Sequence, residues 1–117
     1  MRWSITDDRP IWIQLQEQLT LGILSGEYPM GSRLPSVRDL AAEAGVNPNT
    51  MQRALSAMEG SGLLTTHRTA GRHVTEDRER IDSIRRELAK AQIAAYLEGM
   101  QTLGFSEEEA KRLLVEE

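Results

Sequence analysis

The chain has 117 residues, of which 39% are apolar, and its formal net charge is −4 at neutral pH. This length suits one domain plus an appendage, and no stretch stays apolar for long enough to span a membrane. Cysteine is absent and no apolar segment follows a basic start, so a secreted, disulfide-linked protein is not indicated and we expect a cytoplasmic location.

The negative charge is concentrated in the C-terminal part of the chain. Residues 1–75 carry seven basic and seven acidic side chains, whereas residues 76–117 carry seven basic and eleven acidic ones. A net negative charge ordinarily argues against nucleic acid as a partner. Because the first part is neutral, binding to an anionic partner would depend on local positive patches.

The first predicted element is a helix that begins at Pro10, since a missing N–H costs nothing at the first position of a helix. Apolar residues recur at helical spacing after it and predict one buried row, made of Ile11, Leu15, Leu19 and Ile23. Gly26 ends this helix, and a short strand over Ser32–Leu34 is expected to follow and pair with a later hairpin.

Two short helices joined by a tight turn are predicted within residues 33–64. Ser36 and Asp39 have the spacing of a capping box, so the first of these helices is expected to begin at about Val37 and to end at Gly45. Its buried side is predicted from apolar residues at helical spacing, namely Val37, Leu40, Ala41 and Ala44.

The second of these helices carries polar side chains opposite its apolar ones. Asn47 can cap it and Pro48 takes its first position. The predicted buried side is Met51, Ala54, Leu55 and Met58, and the opposite side is Asn49, Gln52, Arg53 and Ser56. Asparagine and glutamine can form paired hydrogen bonds with adenine and arginine with guanine, while Thr50 can contact a phosphate or a thymine methyl group. This is the outline of a helix-turn-helix that reads DNA, although short helices with a solvated polar side are common in globular proteins.

A β-hairpin is predicted next, because two β-prone pieces in LLTTHRTAGRHVT flank a turn at Thr69–Gly71. Residues 60–75 contain two arginines, two histidines and no acidic residue, so this hairpin is locally positive. A hairpin directly after a DNA-reading helix is a wing, and a tip with two guanidinium groups can enter a narrow minor groove. The candidate wing contacts are Arg68, Gly71, Arg72 and His73. An ordinary surface hairpin is the alternative.

The remaining chain predicts a long helix, from about Glu76 to Leu103, and a short last helix. Gly104 and Phe105 make the corner between them, and Ser106 with Glu109 forms a second capping box. The last helix is expected to present Ala110, Leu113 and Leu114.

Apolar residues of the long helix lie on two nearly opposite sides, Ile81, Ile84, Leu88, Ala91 and Ala95 on one and Ala89, Ile93, Tyr96, Leu97 and Met100 on the other. Two apolar sides need two packing partners, and the chain offers one, the last helix. We therefore expect a second copy of the protein as the other partner, with a solvated helix as the alternative. The predicted dimerisation residues are Ile84, Leu88, Ile93, Tyr96, Leu97, Met100, Phe105, Leu113 and Leu114.

The sequence resembles the GntR family of bacterial transcription regulators. The resemblance rests above all on the runs LPSxRxLA, from Leu34 to Ala41, and VNPNT, from Val46 to Thr50, with Pro10, Ile11 and Trp12 matching near the start. It implies an N-terminal winged helix-turn-helix that binds operator DNA as a dimer. In that fold Arg38 and Thr50 would contact the DNA backbone or groove and the second helix would read bases. The family's wing often begins Arg-Gly-x-Gly, whereas here Thr69 follows Arg68.

The complete set of DNA-binding residues predicted on these grounds is Ser36, Arg38, Asn47, Asn49, Thr50, Gln52, Arg53, Arg68, Gly71, Arg72 and His73.

The tail resembles one subfamily, the YtrA-like regulators, in its corner LGFSEEE from Leu103 to Glu109. That resemblance implies dimerisation through the tail and repression of operons for ABC-type membrane transporters, together with the regulator's own gene. Two short helices cannot enclose a pocket for a drug-sized effector within one subunit. The effector stays unknown, and one would have to bind at the subunit interface or between the tail and the DNA-binding part.

Catalysis is not indicated. The two histidines, His67 and His73, both fall in the hairpin, and the acidic runs Glu76–Glu79 and Glu107–Glu109 lie at helix starts, where carboxylates offset the helix dipole. No metal site, cofactor or nucleophile is therefore predicted. A winged helix can also be an adaptor that binds protein instead of DNA, but an adaptor would show apolar anchors where this helix shows Asn49, Gln52 and Arg53.

Together these patterns predict a mostly α-helical fold with a small β-hairpin. Residues 1–75 are expected to form a winged helix-turn-helix DNA-binding domain, and residues 76–117 a C-terminal helical dimerisation region. The predicted function is that of a homodimeric transcription factor, a repressor that binds an inverted repeat in double-stranded DNA, with no membrane partner.

Overall fold

The computed structural model describes residues 1–116, which form two compact units. The first unit is Met1–Ile81 and the second begins at Asp82. The first contains α1 (Ile11–Leu24), α2 (Val37–Ala44), α3 (Pro48–Ser61) and a hairpin of β1 (Leu64–His67) and β2 (Gly71–Val74). Helix α4 (Arg78–Thr102) starts at the end of the first unit and runs into the second, which also contains α5 (Glu107–Leu114). The predicted fold class, mostly helical with one small hairpin, is confirmed.

Helix α1 packs on α3 and buries Leu15 and Leu19 completely, as predicted. Ile11 was expected in the same row, but it is 42% exposed. It occupies the first helical position, where the apolar row reaches the edge of the core. Gln14, which the apolar pattern did not single out, is buried instead, and its Nε2 donates to the carbonyl oxygens of Thr6 at 2.9 Å and Arg9 at 2.8 Å. This side chain anchors the segment before α1 to the helix.

Helix α2 begins and ends, and helix α3 begins, where the sequence placed them. The Oγ of Ser36 accepts a hydrogen bond from the backbone N–H of Asp39 at 3.1 Å, and Gly45 ends α2 in the left-handed conformation with φ of 72°. This bond is one half of the expected capping box. The other half, in which the backbone N–H of Ser36 would donate to the Asp39 carboxylate, is not found within residues 1–116. Pro48 takes the first position of α3.

The apolar sides of these two helices form the centre of the first unit. In α2, Leu40 and Ala41 are buried, while Val37 and Ala44 are half-buried. In α3 the predicted buried side is confirmed in full, since each member is at most 1% exposed, namely Met51, Ala54, Leu55 and Met58.

The hairpin that follows α3 is antiparallel and joins Leu64 to Val74 and His67 to Gly71 at its two ends. The predicted strand over Ser32–Leu34 pairs with β2 through a single antiparallel bridge, between Arg33 and His73. Two backbone hydrogen bonds flank the bridge: Leu34 donates to Arg72 and Val74 donates to Ser32, both at 2.9 Å. The segment between α1 and α2 therefore fixes the hairpin along one edge.

The second unit is a helical hairpin. Its corner has the predicted form, because Gly104 adopts φ of 100° and Ser106 and Glu109 form both halves of a capping box. Ala110 of α5 is fully buried, and its carbonyl oxygen accepts a hydrogen bond from the Tyr96 hydroxyl at 3.4 Å. The predicted region continues to residue 117, which lies outside the described residues.

Burial along α4 differs from the two continuous rows expected from its pattern. Ile81 and Ile84 are buried, but Leu88 is 40% and Ile93 58% exposed, and Ala89, Ala91 and Ala95 are also exposed. The last part of the second row is half-buried, namely Tyr96, Leu97 and Met100. Much of the apolar surface of this helix is therefore open in the single chain.

The cap of α3 can be tested by substitution, because the Oδ1 of Asn47 accepts a hydrogen bond from the backbone N–H of Asn49 at 2.7 Å. Asn47→Ala is expected to lower the free energy of unfolding by about 1 kcal/mol, whereas Asn47→Asp keeps the acceptor and should have a much smaller effect. Urea denaturation followed by circular dichroism measures both. Asn49→Ala is the matched control, since the exposed Asn49 side chain does not cap the helix, and equal losses in the two alanine variants would contradict the cap assignment.

Candidate nucleic-acid interface

The exposed side of α3 is the centre of the candidate interface. Asn49, Gln52, Arg53 and Ser56 are all exposed there, opposite the fully buried apolar side. Within this row the Nε2 of Gln52 donates to the Oγ of Ser56 at 3.2 Å, a bond between exposed groups that a base edge can replace. The four side chains form a continuous polar surface with both donors and acceptors.

Arg53 does not project freely into solvent. Its guanidinium carbon lies 4.3 Å from the ring centroid of Trp12, which is the second residue of α1 and is half-buried. Stacking of this kind uses the flat face of the guanidinium and leaves its N–H donors at the edge. Sequence reasoning placed Arg53 on the polar side but did not find its aromatic partner.

The starts of α2 and α3 carry four other predicted contacts. Ser36 and Asn47 are the N-caps of these helices, so the oxygen of each already accepts a backbone hydrogen bond. Their remaining donors, the Ser36 hydroxyl and the Asn47 amide nitrogen, are on exposed residues. Arg38 is exposed on α2 and Thr50 is half-buried on α3. Two helix N-termini with such donors suit a phosphate backbone, because helix starts attract anions.

The hairpin of β1 and β2, which we call the wing, differs from the prediction at Arg72. Its Nε donates to Glu59 Oε1 of α3 at 2.5 Å, and the Arg72 side chain is only 18% exposed. Arg72 therefore attaches the wing to α3 and is not a free cation at the tip. Arg68, in the turn, is exposed as expected.

A second arginine lies at the wing, and the sequence analysis did not single it out. Gly71 has φ of 79°, and a Cβ atom added there would lie 3.2 Å from the Nε of Arg33. The side chain of Arg33 thus crosses the glycine, and Arg33 itself is exposed. The pair of cations at the tip is Arg33 and Arg68, in place of the expected Arg68 and Arg72.

The two histidines of the wing contact one another. The rings of His67 and His73 are 4.6 Å apart and nearly perpendicular, and His73 is half-buried. The Nδ1 of His73 is buried and has no hydrogen-bond partner among residues 1–116. In that same part of the chain no three histidine, aspartate or glutamate side chains are grouped so as to hold a metal ion.

Glu59 joins both strands of the wing to α3. Besides the Arg72 guanidinium, the Thr66 hydroxyl donates to the same carboxylate oxygen. The Thr66 hydroxyl, as the largest cause, and Arg72 hold the pKa of the Glu59 carboxyl below its ordinary value, against the opposing effect of burial. The wing is thus held to α3 by a carboxylate that is ionised at neutral pH.

The predicted dimerisation residues are mostly exposed in the single chain. Leu114 is 65% exposed, Ile93 58%, Leu88 40%, Leu113 38% and Phe105 36%, while Tyr96, Leu97 and Met100 are half-buried. Ile84 is the exception, because it is only 8% exposed and offers almost no surface to a second subunit. No helix within residues 1–116 has both the length and the apolar character required to cross a lipid bilayer.

Comparison with known proteins assigns this geometry to one family. The family model described as "Bacterial regulatory proteins, gntR family" matches residues 13–74, the span from α1 to the end of the wing. The chain is similar to the uncharacterised HTH-type transcriptional regulator YhcF of Bacillus subtilis, with 35% identity over 86% of this chain and 84% of that protein. It is also similar to the HTH-type transcriptional repressor YtrA of Bacillus subtilis, with 37% identity over 58% of this chain and 52% of the relative.

The solved structures give the same result over nearly the full length. A GntR family transcriptional regulator from Listeria monocytogenes superposes with a TM-score of 0.87 and 33% sequence identity, covering 94% of this chain and 96% of that one. The likeness includes the helical tail as well as the winged unit.

The Glu59 contact leads to a pH-dependent prediction. A carboxyl whose pKa is lowered in the folded state stabilises the fold above its unfolded pKa, and this contribution is lost as the pH falls through the folded value. Thr66→Val is expected to raise the Glu59 pKa towards its ordinary value, because it removes the largest cause of the shift. Carbon-detected NMR titration of the Glu59 carboxyl measures this pKa in the wild type and in the variant.

The matched control is Thr65→Val, whose hydroxyl faces His67 and His73 instead of Glu59. Glu59→Gln is expected to cost about 0.5–1 kcal/mol at neutral pH, as for other partly exposed ion pairs, and to lose that difference in acid. An unchanged Glu59 pKa in Thr66→Val would show that the hydroxyl does not stabilise the carboxylate.

Proposed function

This chain belongs to the GntR family of bacterial regulatory proteins and is a DNA-binding transcription regulator, and from that premise we propose that it is a homodimeric repressor of an inverted-repeat operator. The family and the similar proteins are regulators and not enzymes. The observation that carries the DNA-binding part of the proposal is the exposed polar side of α3 opposite a buried apolar side.

In the proposed complex α3 lies in the major groove. Arg53 contacts guanine, and Asn49 and Gln52 contact adenine, since these side chains form paired hydrogen bonds with those bases. Arg38 and Thr50 contact phosphates, as do the free donors of the two caps, Ser36 and Asn47. The base-reading roles are supported by the exposure of the side chains on α3, and the phosphate roles by the position of Ser36, Arg38 and Asn47 at helix starts.

The wing is proposed to lie at the minor groove. Arg68 and Arg33 at its tip enter a groove that is narrow and electronegative, as in A-tracts. Gly71 keeps the tip thin enough for the Arg33 side chain to cross it, and His73 lies on the same strand. Arg72 contributes by holding the wing in place through Glu59.

The tail is proposed to form the dimer. Residues 1–75 would supply the DNA-binding domain and residues 76–117 the dimerisation region, with Ile81 completing the compact DNA-binding unit from the start of α4. Exposed apolar side chains on both helices of the tail support an interface there, because large uncovered apolar groups mark contact surfaces. The two half-sites would repeat at about 10 bp or a multiple of it.

Repression fits the name of one relative, which is called a repressor. By the resemblance of the tail we propose that the regulated genes encode a membrane transporter, together with the regulator itself, and that the protein acts in the cytoplasm. An adaptor that binds protein is the second candidate. The exposed side of α3 argues against it, because Asn49, Gln52 and Arg53 offer no apolar anchor.

The phosphate role of Arg38 predicts a change in salt dependence. Arg38→Ala is expected to weaken binding to all DNA sequences alike and to flatten the slope of log affinity against log salt by about one unit, since one phosphate contact is lost. Titration of a palindromic duplex at several salt concentrations measures the slope. Arg86→Ala, which removes another exposed guanidinium, from the tail, is the control and should leave the slope unchanged. A wild-type slope in Arg38→Ala would remove the phosphate assignment.

The dimer role of the tail predicts a charge-sensitive assembly. Ile93→Glu is expected to leave the fold of the single chain intact, because the side chain is already 58% exposed, but to give a monomer by light scattering. Operator affinity should then fall by about 10² to 10⁴, the usual gain from joining two weak sites. Gln92→Glu adds the same charge one residue earlier and should remain dimeric. A dimeric Ile93→Glu variant, or a monomeric wild type at micromolar concentration, would contradict this interface.

A further inference from the structure

The contact between Trp12 and Arg53 joins two helices with different roles. Trp12 belongs to α1, which covers the core, while Arg53 belongs to the exposed side of α3. The guanidinium carbon lies 4.3 Å from the indole centroid. Within residues 1–116, the side chain of Arg53 has no ion pair or hydrogen bond, so the stack on the indole is the contact that favours this position of its guanidinium.

We propose that Trp12 is a specificity-determining positioning residue, which holds Arg53 ready to recognise a guanine in each half-site. The proposal rests on the base-reading role of Arg53 given above. It gives α1, a helix that covers the core and to which we assign no base contact, an effect through Arg53 on which DNA sequence is preferred.

The physical basis is the rotational freedom of arginine. A free arginine side chain loses much rotamer entropy when it is fixed on a base edge, and a side chain already held in place loses less. A stack on the indole holds the guanidinium by its face, so the N–H donors at its edge remain available for the O6 and N7 of guanine. An ion pair to a carboxylate would hold the side chain equally well but would occupy those donors.

The effect should be specific to one base pair in each half-site. Asn49 and Gln52 lie on the same side of α3, and within residues 1–116 neither side chain has a hydrogen bond to Trp12. Their base preferences should therefore not depend on the indole. Loss of the stack therefore differs from general damage to the interface, which would weaken recognition at every position.

The test uses the full chain and a palindromic duplex selected by the wild-type protein from a random pool, together with duplexes altered at each position. Arg53→Ala is expected to lose roughly 5- to 150-fold discrimination at one position, as for a lost paired contact to guanine. Trp12→Leu, which keeps an apolar side chain without a ring, is expected to lose about two- to fivefold at that same position. Trp12→Tyr should retain most of it. In the Arg53→Ala background, Trp12→Leu should cause no further loss at that position.

A second measurement reports the stack without DNA. The Nε–Hε resonance of Arg53 should be shifted by the ring current of Trp12 in the wild type and should return to the ordinary arginine position in Trp12→Leu. Thermal unfolding checks that each variant is folded, and Trp12→Tyr provides a folded comparison if Trp12→Leu is unstable.

The outcomes separate the two levels of the proposal. If Arg53→Ala leaves base preference unchanged, the base contact itself fails, and the inference about Trp12 fails with it. If Arg53→Ala alters the preference but Trp12→Leu does not, or if Trp12→Leu weakens all positions equally, the base contact stands and the positioning role of Trp12 is overturned. An equal loss from Trp12→Leu with and without Arg53 would also overturn it.

Discussion

Burial of the apolar side of α3 is the constraint on which the whole interface depends. Met51, Ala54 and Met58 have no exposed surface, and burying each large side chain is worth roughly 1.5–3 kcal/mol. A rotation of α3 by a single residue, about 100°, would bring part of this row into solvent, so the rotation of the helix is fixed. The polar side points outward as a consequence, and no other contact has to hold it there.

The same helix also positions the wing. Near its C-terminal end, Glu59 binds Thr66 and Arg72 from the two strands, and the Nε of Arg80, at the start of α4, donates to the carbonyl oxygen of Ser61 at 2.8 Å. Because these contacts all begin on α3, a shift of the helix would be transmitted to the hairpin. The proposed major-groove and minor-groove contacts are thus joined by direct contacts within the chain, which favour one spacing between them before DNA is bound.

Sequence reasoning succeeded where structure depends on neighbouring residues. The caps Ser36, Asn47 and Ser106 and the end of α2 follow from chemistry within about four positions. It did not reach the pairing of Arg72 with Glu59 or of Arg53 with Trp12, because the partners are 13 and 41 positions apart and no local rule joins them. The apolar pattern of α4 had a similar limit. A periodicity shows which side chains share a side of a helix, but whether that side is covered depends on the surrounding molecule, as Leu88 and Ile93 illustrate.

The neutral charge of the DNA-binding part gives a physical reason for the proposed dimer. Residues 1–75 carry equal numbers of basic and acidic side chains, and Arg72 is already paired internally. A single unit therefore has few free cations with which to release counterions from the phosphate backbone, so its affinity for any DNA should be modest. Joining two such units compensates without added positive charge, because the second half-site is bound at high effective concentration. It also favours specificity, since weak attraction to arbitrary DNA leaves the base contacts of two α3 helices to decide where the protein stays.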